Sequence, residues 1–249
     1  MSIYSDLTNF YNREAKKYHQ TRKKYRPDAN KILTALANLS GGKLKILELW
    51  CGSGRGISLL EQDFSRKFSY TWIDLSEKLL ELAKNDNPKQ HFVCANMETY
   101  IQTLEQESLD AILAFASFQH LSNEKSRLAL MKNAYRALHY DGILIFTNWA
   151  LSQWFLRTHW KVLLTSVFKS FFSLGKWDWR DVFIPWKTKN WTHYRYYHLF
   201  WLDELKKLAE RAGFFVEELY FLDKKGNITP DRKKANNSFL VARKTVSKI

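Results

Sequence analysis

Short apolar runs alternate with amphipathic segments through the middle of the chain. The runs are rich in Ile, Leu, Val and Phe, as is typical of buried strands, and they occupy residues 44–49, 69–73, 91–94, 109–115 and 142–147. The segments between them repeat apolar residues at helical spacing, which predicts helices at 54–62, 76–85, 97–104 and 123–138. This alternation predicts a parallel sheet with helices on both faces.

The two ends of the chain follow other patterns. Residues 9–38 have apolar residues at helical spacing, with a break expected near Arg26 and Pro27. Residues 148–198 form an aromatic and basic stretch in which the alternation stops. A helix and two strands are predicted after it, at 202–212, 214–221 and 237–243. The expected fold is α/β, with a Rossmann-like, seven-stranded and mostly parallel sheet flanked by helices.

No internal repeat or low-complexity linker divides the chain, so one domain over residues 1–249 is predicted. It consists of an N-terminal helical flank, a cofactor-binding core, a substrate-recognition insert, and a C-terminal helix with strands. These parts span residues 1–43, 44–147, 148–200 and 201–249.

The insert contains an apolar segment, Trp154–Leu174, that raises the question of a membrane. Four basic or titratable residues interrupt it and exclude a spanning helix, namely Arg157, His159, Lys161 and Lys169. An amphipathic lid over the site is the favoured interpretation, and a helix on a membrane surface is the alternative.

Charge is distributed unevenly along the chain, whose net charge is +14. Lys and Arg outnumber Asp and Glu by 9 to 3 over residues 1–43 and by 19 to 9 over 150–249, whereas residues 44–149 carry 11 against 13. Basic flanks around a near-neutral core suit a polyanionic substrate. Lysine-rich solvated surfaces are the alternative explanation.

Cysteine usage bears on the compartment. Only Cys51 and Cys94 are present, and no apolar run near the N-terminus resembles a signal peptide. A secreted protein built on disulfides is therefore not expected, and a cytoplasmic location is predicted.

The strongest local signal is a strand that runs into a glycine-rich turn, Ile46–Gly56, and then into a helix. Glycine is needed where the backbone turns sharply and approaches a ligand. The spacing does not match the dinucleotide fingerprint, and no Walker lysine follows. The turn resembles the first motif of class I S-adenosylmethionine (SAM) methyltransferases, Glu/Asp-x-Gly-x-Gly-x-Gly. The resemblance implies that SAM binds at Glu48, Trp50, Gly52 and Gly54.

Two further strand ends complete the predicted cofactor site. Asp74 stands at the tip of the second strand, about 20 residues beyond the glycines, where a carboxylate can accept both ribose hydroxyls. The third tip resembles an adenine-contacting motif with Asn in place of the usual Asp, and an amide oxygen can still accept the adenine amino proton. The remaining cofactor residues are predicted to be Leu75, Asn96, Met97 and Ala116.

Trp50 and Trp72 stand where the resembling family has glycine. A bulky ring in such a turn disfavours positive φ and fills space near the cofactor. The chain also has only 9 glycines among 249 residues, about half of the usual share, but ten tryptophans. We hypothesise that the gene comes from a lineage that reads UGA as glycine and was translated here with UGA as tryptophan.

Five further segments carry a more specific pattern. They are Tyr-His-Gln-Thr-Arg at 18–22, Ser-Phe-Gln-His-Leu at 117–121, Trp-Ala-Leu-Ser-Gln at 149–153, Asp-Val-Phe-Ile-Pro-Trp at 181–186 and Arg-Tyr-Tyr-His-Leu-Phe at 195–200. Together they resemble the eukaryotic tRNA wobble-uridine carboxymethyl methyltransferases, the related methyltransferase domain fused to an AlkB-like oxygenase, and their bacterial relatives. The resemblance spans residues 10–220, and its last two segments are the most specific.

The resemblance implies methyl transfer from SAM to a side-chain carboxylate on a modified wobble uridine of tRNA. Arg195 is then expected to hold a carboxylate or phosphate bidentately, with Arg22 on the other side, and His120 to orient the uracil or the carboxylate. The alternatives are that His120 caps the following helix and that Arg195 pairs with an acidic neighbour. Tyr196, Tyr197 and Trp186 are candidates for stacking on an anticodon base, or for core positions.

Partners and rival functions stay open at this point. No metal is predicted, because His19 and His198 are not spaced as ligands. A small activating protein is a candidate partner, as for some tRNA methyltransferases. The alternatives are a methyltransferase for a small or lipid-linked molecule, and a catalytically inactive subunit of this fold that binds RNA or activates a partner.

Overall fold

An eight-stranded sheet lies at the centre of the computed structural model, which describes residues 3–21, 28–54, 60, 63–173, 177–188 and 191–245. The strands in chain order are β1 (Leu44–Leu49), β2 (Phe68–Asp74), β3 (His91–Cys94), β4 (Leu109–Phe115), β5 (Leu138–Trp149), β6 (Asp181–Lys187), β7 (Thr192–His198), β8 (Phe215–Leu222), β9 (Ile228–Thr229) and β10 (Asn237–Arg243). The sheet has the order β3-β2-β1-β4-β5-β10-β8-β9. Strands β1 to β5 are parallel, and β10 is antiparallel to both β5 and β8.

Helices cover both faces of this sheet. They are α1 (Ile3–Thr21), α2 (Ala29–Ala37), α3 (Glu77–Asp86), α4 (Met97–Thr103), α5 (Glu124–Ala137), α6 (Gln153–Phe172) and α7 (Leu202–Arg211), with a short 3₁₀ helix at Phe118–His120. The helix predicted at 54–62 lies mostly outside the described residues. The expected Rossmann-like α/β fold is confirmed.

The predicted count of seven strands was wrong by one. The additional strand, β9, has only two residues and pairs antiparallel with the end of β8. A tight turn joins the two strands, in which Asp223 accepts hydrogen bonds from the backbone N–H groups of Lys225 and Asn227. A strand of two residues is too short to show any periodicity in the sequence.

Strand β1 is buried on both faces apart from Lys45, which explains why four of its six residues are Leu or Ile. Leu47 and Leu49 pack into a cluster with side chains of α4, α5 and α7 on one side of the sheet. Leu44 and Ile46 pack on the other side against α2 and α3. The sheet is therefore the middle layer of three, and its carboxyl edge is left to the loops.

The described residues within 148–198 form a helix and a hairpin that the sequence pattern did not predict in detail. Helix α6 is followed by an antiparallel hairpin of β6 and β7. A third apolar cluster joins them, in which Phe155 and Leu163 of α6 meet Val182 and Tyr197 of the hairpin. Within the described ranges, no helix is long and apolar enough to cross a membrane.

Candidate active site

Two adjoining cavities open at the carboxyl ends of β1, β2, β4 and β5, where the strand order reverses between β1 and β4. The smaller, of about 40 Å³, is lined by Asp74 and Leu75, and the larger, of about 380 Å³, by Glu48 and Arg195. Both are lined by the same five residues, Tyr11, Tyr18, Trp50, Phe115 and Ala116. This arrangement brings the end of α1 and the predicted cofactor and substrate residues to one place.

Asp74 is fixed at the tip of β2 by the glycine-rich turn. Its Oδ2 accepts the backbone N–H of Gly52 at 2.8 Å, and its Oδ1 accepts that of Ser76 at 2.8 Å. Burial raises the pKa of Asp74 to about 6, although these N–H groups act in the opposite direction. Each oxygen retains a lone pair, so the carboxylate can accept ribose hydroxyl groups at the smaller cavity.

The turns around the cavities use the left-handed backbone region. Gly52 and Gly54 have φ of +61° and +88°, and Ala116 has φ of +55°. A Cβ on Gly52 would lie 3.3 Å from Cε1 of Tyr18, so glycine also permits close packing of α1 on the turn. The glycines in the motif therefore have a conformational and a steric reason.

Trp50 adopts a backbone conformation that favours glycine, with φ of +54°. Its indole forms part of the wall of both cavities and packs edge-on against Tyr4 at 5.8 Å and near the His120 ring at 5.9 Å. The buried Nε1 of Trp50 has no hydrogen-bond partner. Position 50 thus has the geometry of the glycine expected there, occupied by a ring with an unsatisfied donor.

Trp72 is fully buried behind the same turn. Its Nε1 also lacks a partner, and its ring packs against Phe92 at 4.5 Å between centroids. A Cβ on Gly54 would lie only 2.2 Å from Cζ3 of Trp72, so the indole presses against the turn. The unsatisfied donor and the close contact with the turn agree with the hypothesis of glycine at position 72, although only position 50 has a positive φ.

The other predicted cofactor residues occupy different environments. Glu48 is 3% exposed, lines the larger cavity and accepts a hydrogen bond of 2.8 Å from the Tyr70 hydroxyl. Asn96 caps α4, and its Oδ1 accepts the N–H of Glu98 at 2.8 Å. Met97 is a buried core residue. Neither Asn96 nor Met97 is among the residues that line the two cavities.

Arg195 projects from β7 into a cage of aromatic rings. Its Cζ lies 4.9 Å from the ring centroid of Trp186 and 5.2 Å from those of Phe10 and Tyr197. Arg195 is only 4% exposed, and its Nε has no hydrogen-bond partner. Among the described residues, no carboxylate forms an ion pair with it, so the expected alternative of an acidic neighbour is not found.

His120 lies in the 3₁₀ helix after β4 and lines the smaller cavity. Its Nδ1 is 2.8 Å from the carbonyl oxygen of Tyr196, so Nδ1 carries the proton and Nε2 is an acceptor. Burial lowers the pKa of His120 to about 4. It does not cap the following helix, because Asn123 performs that function through the N–H of Ser126.

Arg22 lies outside the described residues. In the same predicted segment, Tyr18 lines both cavities, whereas His19 lies 3.4 Å from Asp86 and does not line them. In the part of the chain that the structure describes, no group of three or more His, Cys, Asp and Glu side chains could hold a metal ion.

The two most specific motifs meet in a buried polar network behind the cavities. Asp181 Oδ1 accepts the Tyr196 hydroxyl at 2.6 Å and lies 2.6 Å from His198 Nδ1. Arg127 of α5 lies 3.3 Å from Asp181, and Glu204 of α7 lies 3.0 Å from His198 Nε2. Tyr196 is therefore a network residue and not a base-stacking one.

Successive side chains of β7 point to opposite faces of the hairpin, so the residues of the Arg-Tyr-Tyr-His segment face two different environments. Arg195 and Tyr197 point to the larger cavity, whereas Tyr196 and His198 point to the network. Arg127 and Glu204 were not predicted from the sequence, because a charged residue in an amphipathic helix usually faces solvent. Tyr11 was not predicted either; its hydroxyl lies beside Arg195, and burial raises its pKa.

The known proteins that this chain resembles are methyltransferases. A family described as a methyltransferase domain matches residues 47–146. A tRNA (carboxymethyluridine(34)-5-O)-methyltransferase of Schizosaccharomyces pombe is 26% identical over 228 residues, which cover 84% of this chain and 88% of that protein. A malonyl-[acyl-carrier protein] O-methyltransferase of Paenibacillus sp. is 29% identical over 120 residues, covering 46% of this chain and 42% of that protein.

Solved structures with the same fold extend over almost the whole chain. A SAM-dependent methyltransferase of Methanosarcina mazei has a TM-score of 0.65 at 20% identity and covers 85% of this chain and 97% of its own. A methyltransferase of Haloferax volcanii, in complex with the methyltransferase activator Trm112, has a TM-score of 0.66 at 11% identity. It covers 97% of this chain and 99% of its own.

The strand order, the turn after β1 and these matches define a class I SAM-dependent methyltransferase, with SAM as its cofactor. The backbone of the turn and the carboxylate of Asp74 fit this cofactor. Within the class, the chain resembles the tRNA wobble carboxymethyluridine methyltransferases.

Proposed function

We propose that this chain, acting as a single methyltransferase domain in the cytoplasm, methylates the carboxylate of a modified wobble uridine in tRNA. The observation that carries the proposal is Arg195, a buried guanidinium that faces the larger cavity without an ion-pair partner among the described residues. A buried charge is unfavourable unless it is paired. A carboxylate on the substrate would supply the missing partner, bound by two parallel N–H groups.

The chemistry requires little beyond alignment. Bound SAM supplies an electrophilic methyl group on its sulfonium. The acceptor carboxylate is already ionised at neutral pH, so the reaction needs no general base. Arg195 would fix its orientation, and Trp186 and Tyr197 would restrict the guanidinium by stacking on it. His120 stays neutral and presents Nε2 as an acceptor for a uracil N–H.

Two observations favour tRNA as the carrier of that carboxylate. The S. pombe relative aligns over most of both chains and is named for a carboxymethyluridine at tRNA position 34. The net charge of +14 is concentrated outside the cofactor core, where it can contact phosphates. Arg22, Arg195 and His120 are then the proposed substrate residues, and Glu48, Trp50, Gly52, Gly54, Asp74, Leu75, Asn96, Met97 and Ala116 the proposed cofactor residues.

The test is methyl transfer from labelled SAM to tRNA bearing carboxymethyluridine, followed by mild alkali. An ester releases its label as methanol, whereas a methyl group on a base or ribose stays bound. We expect alkali-labile label, and a loss of kcat/KM of at least about a hundredfold for Arg195→Gln. The control is Arg136→Lys, whose arginine donates to backbone carbonyls remote from the cavities. Alkali-stable label would refute the proposal.

A carboxylate on a small or lipid-linked molecule is the second candidate. The Paenibacillus relative is named for the O-methylation of malonyl-[acyl-carrier protein], and a malonyl group also ends in a carboxylate. Arg195 would serve that acceptor in the same way. Alkali-labile label on a short dicarboxylic thioester, with none on tRNA, would favour this candidate.

A small activating protein is a further proposed partner. The similar Haloferax methyltransferase was solved as a complex with such an activator. If one is required, the purified chain alone will bind SAM but transfer methyl groups slowly, and adding the activator will restore the rate.

A further inference from the structure

The outer face of α6 carries an apolar stripe that the fold does not bury. Between Trp160 and Phe172 six large apolar side chains are exposed, at exposures from 46% to 77%. We call them the outer stripe: Trp160, Leu164, Val167, Phe168, Phe171 and Phe172. Their spacing of three and four residues places them along one side of the helix. Soluble proteins seldom expose so many large apolar residues side by side.

The opposite face of α6 already holds the helix on the protein. Phe155, Leu163 and Ser166 are buried, and the first two belong to the apolar cluster under the hairpin of β6 and β7. The outer stripe is therefore not needed to anchor α6. Its apolar side chains are available for something outside the described structure.

The charge around the outer stripe selects the kind of partner. Residues 153–172 contain no Asp or Glu, whereas Arg157 and Lys161 are exposed beside the stripe; the Nζ of the exposed Lys169 lies 3.4 Å from the Trp177 ring centroid. The Nζ of Lys161 lies 5.6 Å from the Trp160 ring centroid, so cation and apolar surface are adjacent. A partner must therefore be apolar at its contact and negatively charged next to it.

We propose that α6 docks this protein on the surface of a membrane that contains anionic phospholipids. Phenylalanine and leucine side chains would enter the boundary between headgroups and acyl chains, and the basic side chains would contact the phosphates. A second copy of this chain fits less well, since it would bring like charges together. RNA offers phosphates but no surface for an aliphatic and phenylalanine stripe.

Flotation with lipid vesicles tests the proposal on the full chain. We expect it to float with vesicles of phosphatidylcholine and phosphatidylglycerol, and weakly with pure phosphatidylcholine. Phe171→Ser with Phe172→Ser should reduce binding by at least about tenfold, since two exposed rings leave the bilayer. Arg157→Gln with Lys161→Gln should also reduce it about tenfold, and added salt should mimic this change.

The matched control is Phe215→Ser with Ile228→Ser, which removes two exposed apolar residues at 59% and 55% exposure from the C-terminal strands. It should bind vesicles like the parent chain, and circular dichroism should show all variants folded. Three results would overturn the proposal. They are equal binding to neutral and anionic vesicles, equal binding by the phenylalanine variant, and a dimer that this variant dissociates, because a second copy would then cover the stripe.

Discussion

His120 is held neutral in the folded protein, and this has a consequence for stability. Burial lowers its pKa to about 4, below the ordinary value near 6.5. The unfolded chain therefore binds the proton more readily than the folded chain. The contribution of neutral His120 to the free energy of unfolding is complete above about pH 6.5 and is lost as the pH falls through about 4. Between pH 7 and pH 4 the loss should reach about 3 kcal/mol.

Urea unfolding at both pH values measures this loss, with His120→Asn as the comparison. The asparagine amide can still donate to the Tyr196 carbonyl but does not titrate. The parent chain should lose about 3 kcal/mol more than the variant over this range. An equal loss in the two proteins would show that His120 is accessible to protons in the folded state.

At the scale of single residues, the sequence predicted polypeptide turns better than side-chain environments. Asp74 and Gly52 lie where the motif placed them, because a strand tip and a positive φ are local properties. The environment of Arg195 depends on Phe10, which is 185 residues away in sequence, and on Trp186. A local sequence pattern cannot predict that rings so distant along the chain will surround one guanidinium.

At the scale of elements, the buried network fixes the hairpin of β6 and β7 to α5 and α7. Asp181 accepts from Tyr196, Arg127 and His198 together. Asp181→Ala would leave the buried Arg127 with Glu204, at 3.7 Å, as its remaining acidic partner, so we expect a loss of about 3 kcal/mol in the free energy of unfolding. Chemical denaturation of the full chain measures it.

Asp203→Ala is the control for this change, because Asp203 is an exposed residue in the first turn of α7. It should lose no more than about 1 kcal/mol through the helix dipole. Comparable losses in both variants would contradict the claim that the network fixes the hairpin to α5 and α7.

The regular core was predictable element by element, whereas the insert was not. Buried parallel strands are rich in apolar residues, and each one from β1 to β5 overlaps its predicted position, although β5 begins at Leu138 and not at 142. In β7 every residue from Tyr194 to His198 is large and amphipathic, so polar and apolar positions do not alternate visibly. Strand β9 was missed because its pairing comes only from the turn that precedes it.

At the scale of the whole molecule, charge sets how the protein meets a polyanion. If the basic flanks contact about four phosphates, the affinity for tRNA should fall about fiftyfold between about 50 and 200 mM salt. Filter binding over that range measures the slope. A flat response would show that the excess of Lys and Arg is only a solvated surface, and would favour a small-molecule acceptor.

The central claim is that the cavities at the end of β1 form a SAM site in which glycine suits position 50, where φ is positive, and position 72, where the buried indole has an unsatisfied donor. Calorimetry of SAM binding to the chain as given and to Trp50→Gly with Trp72→Gly tests it, with the exposed Trp160→Gly as the control. We expect at least about tenfold tighter binding by the double variant alone, because Trp50 no longer strains the turn and both unsatisfied indoles are gone. Absence of binding in all three proteins would contradict the account and favour an inactive subunit of this fold.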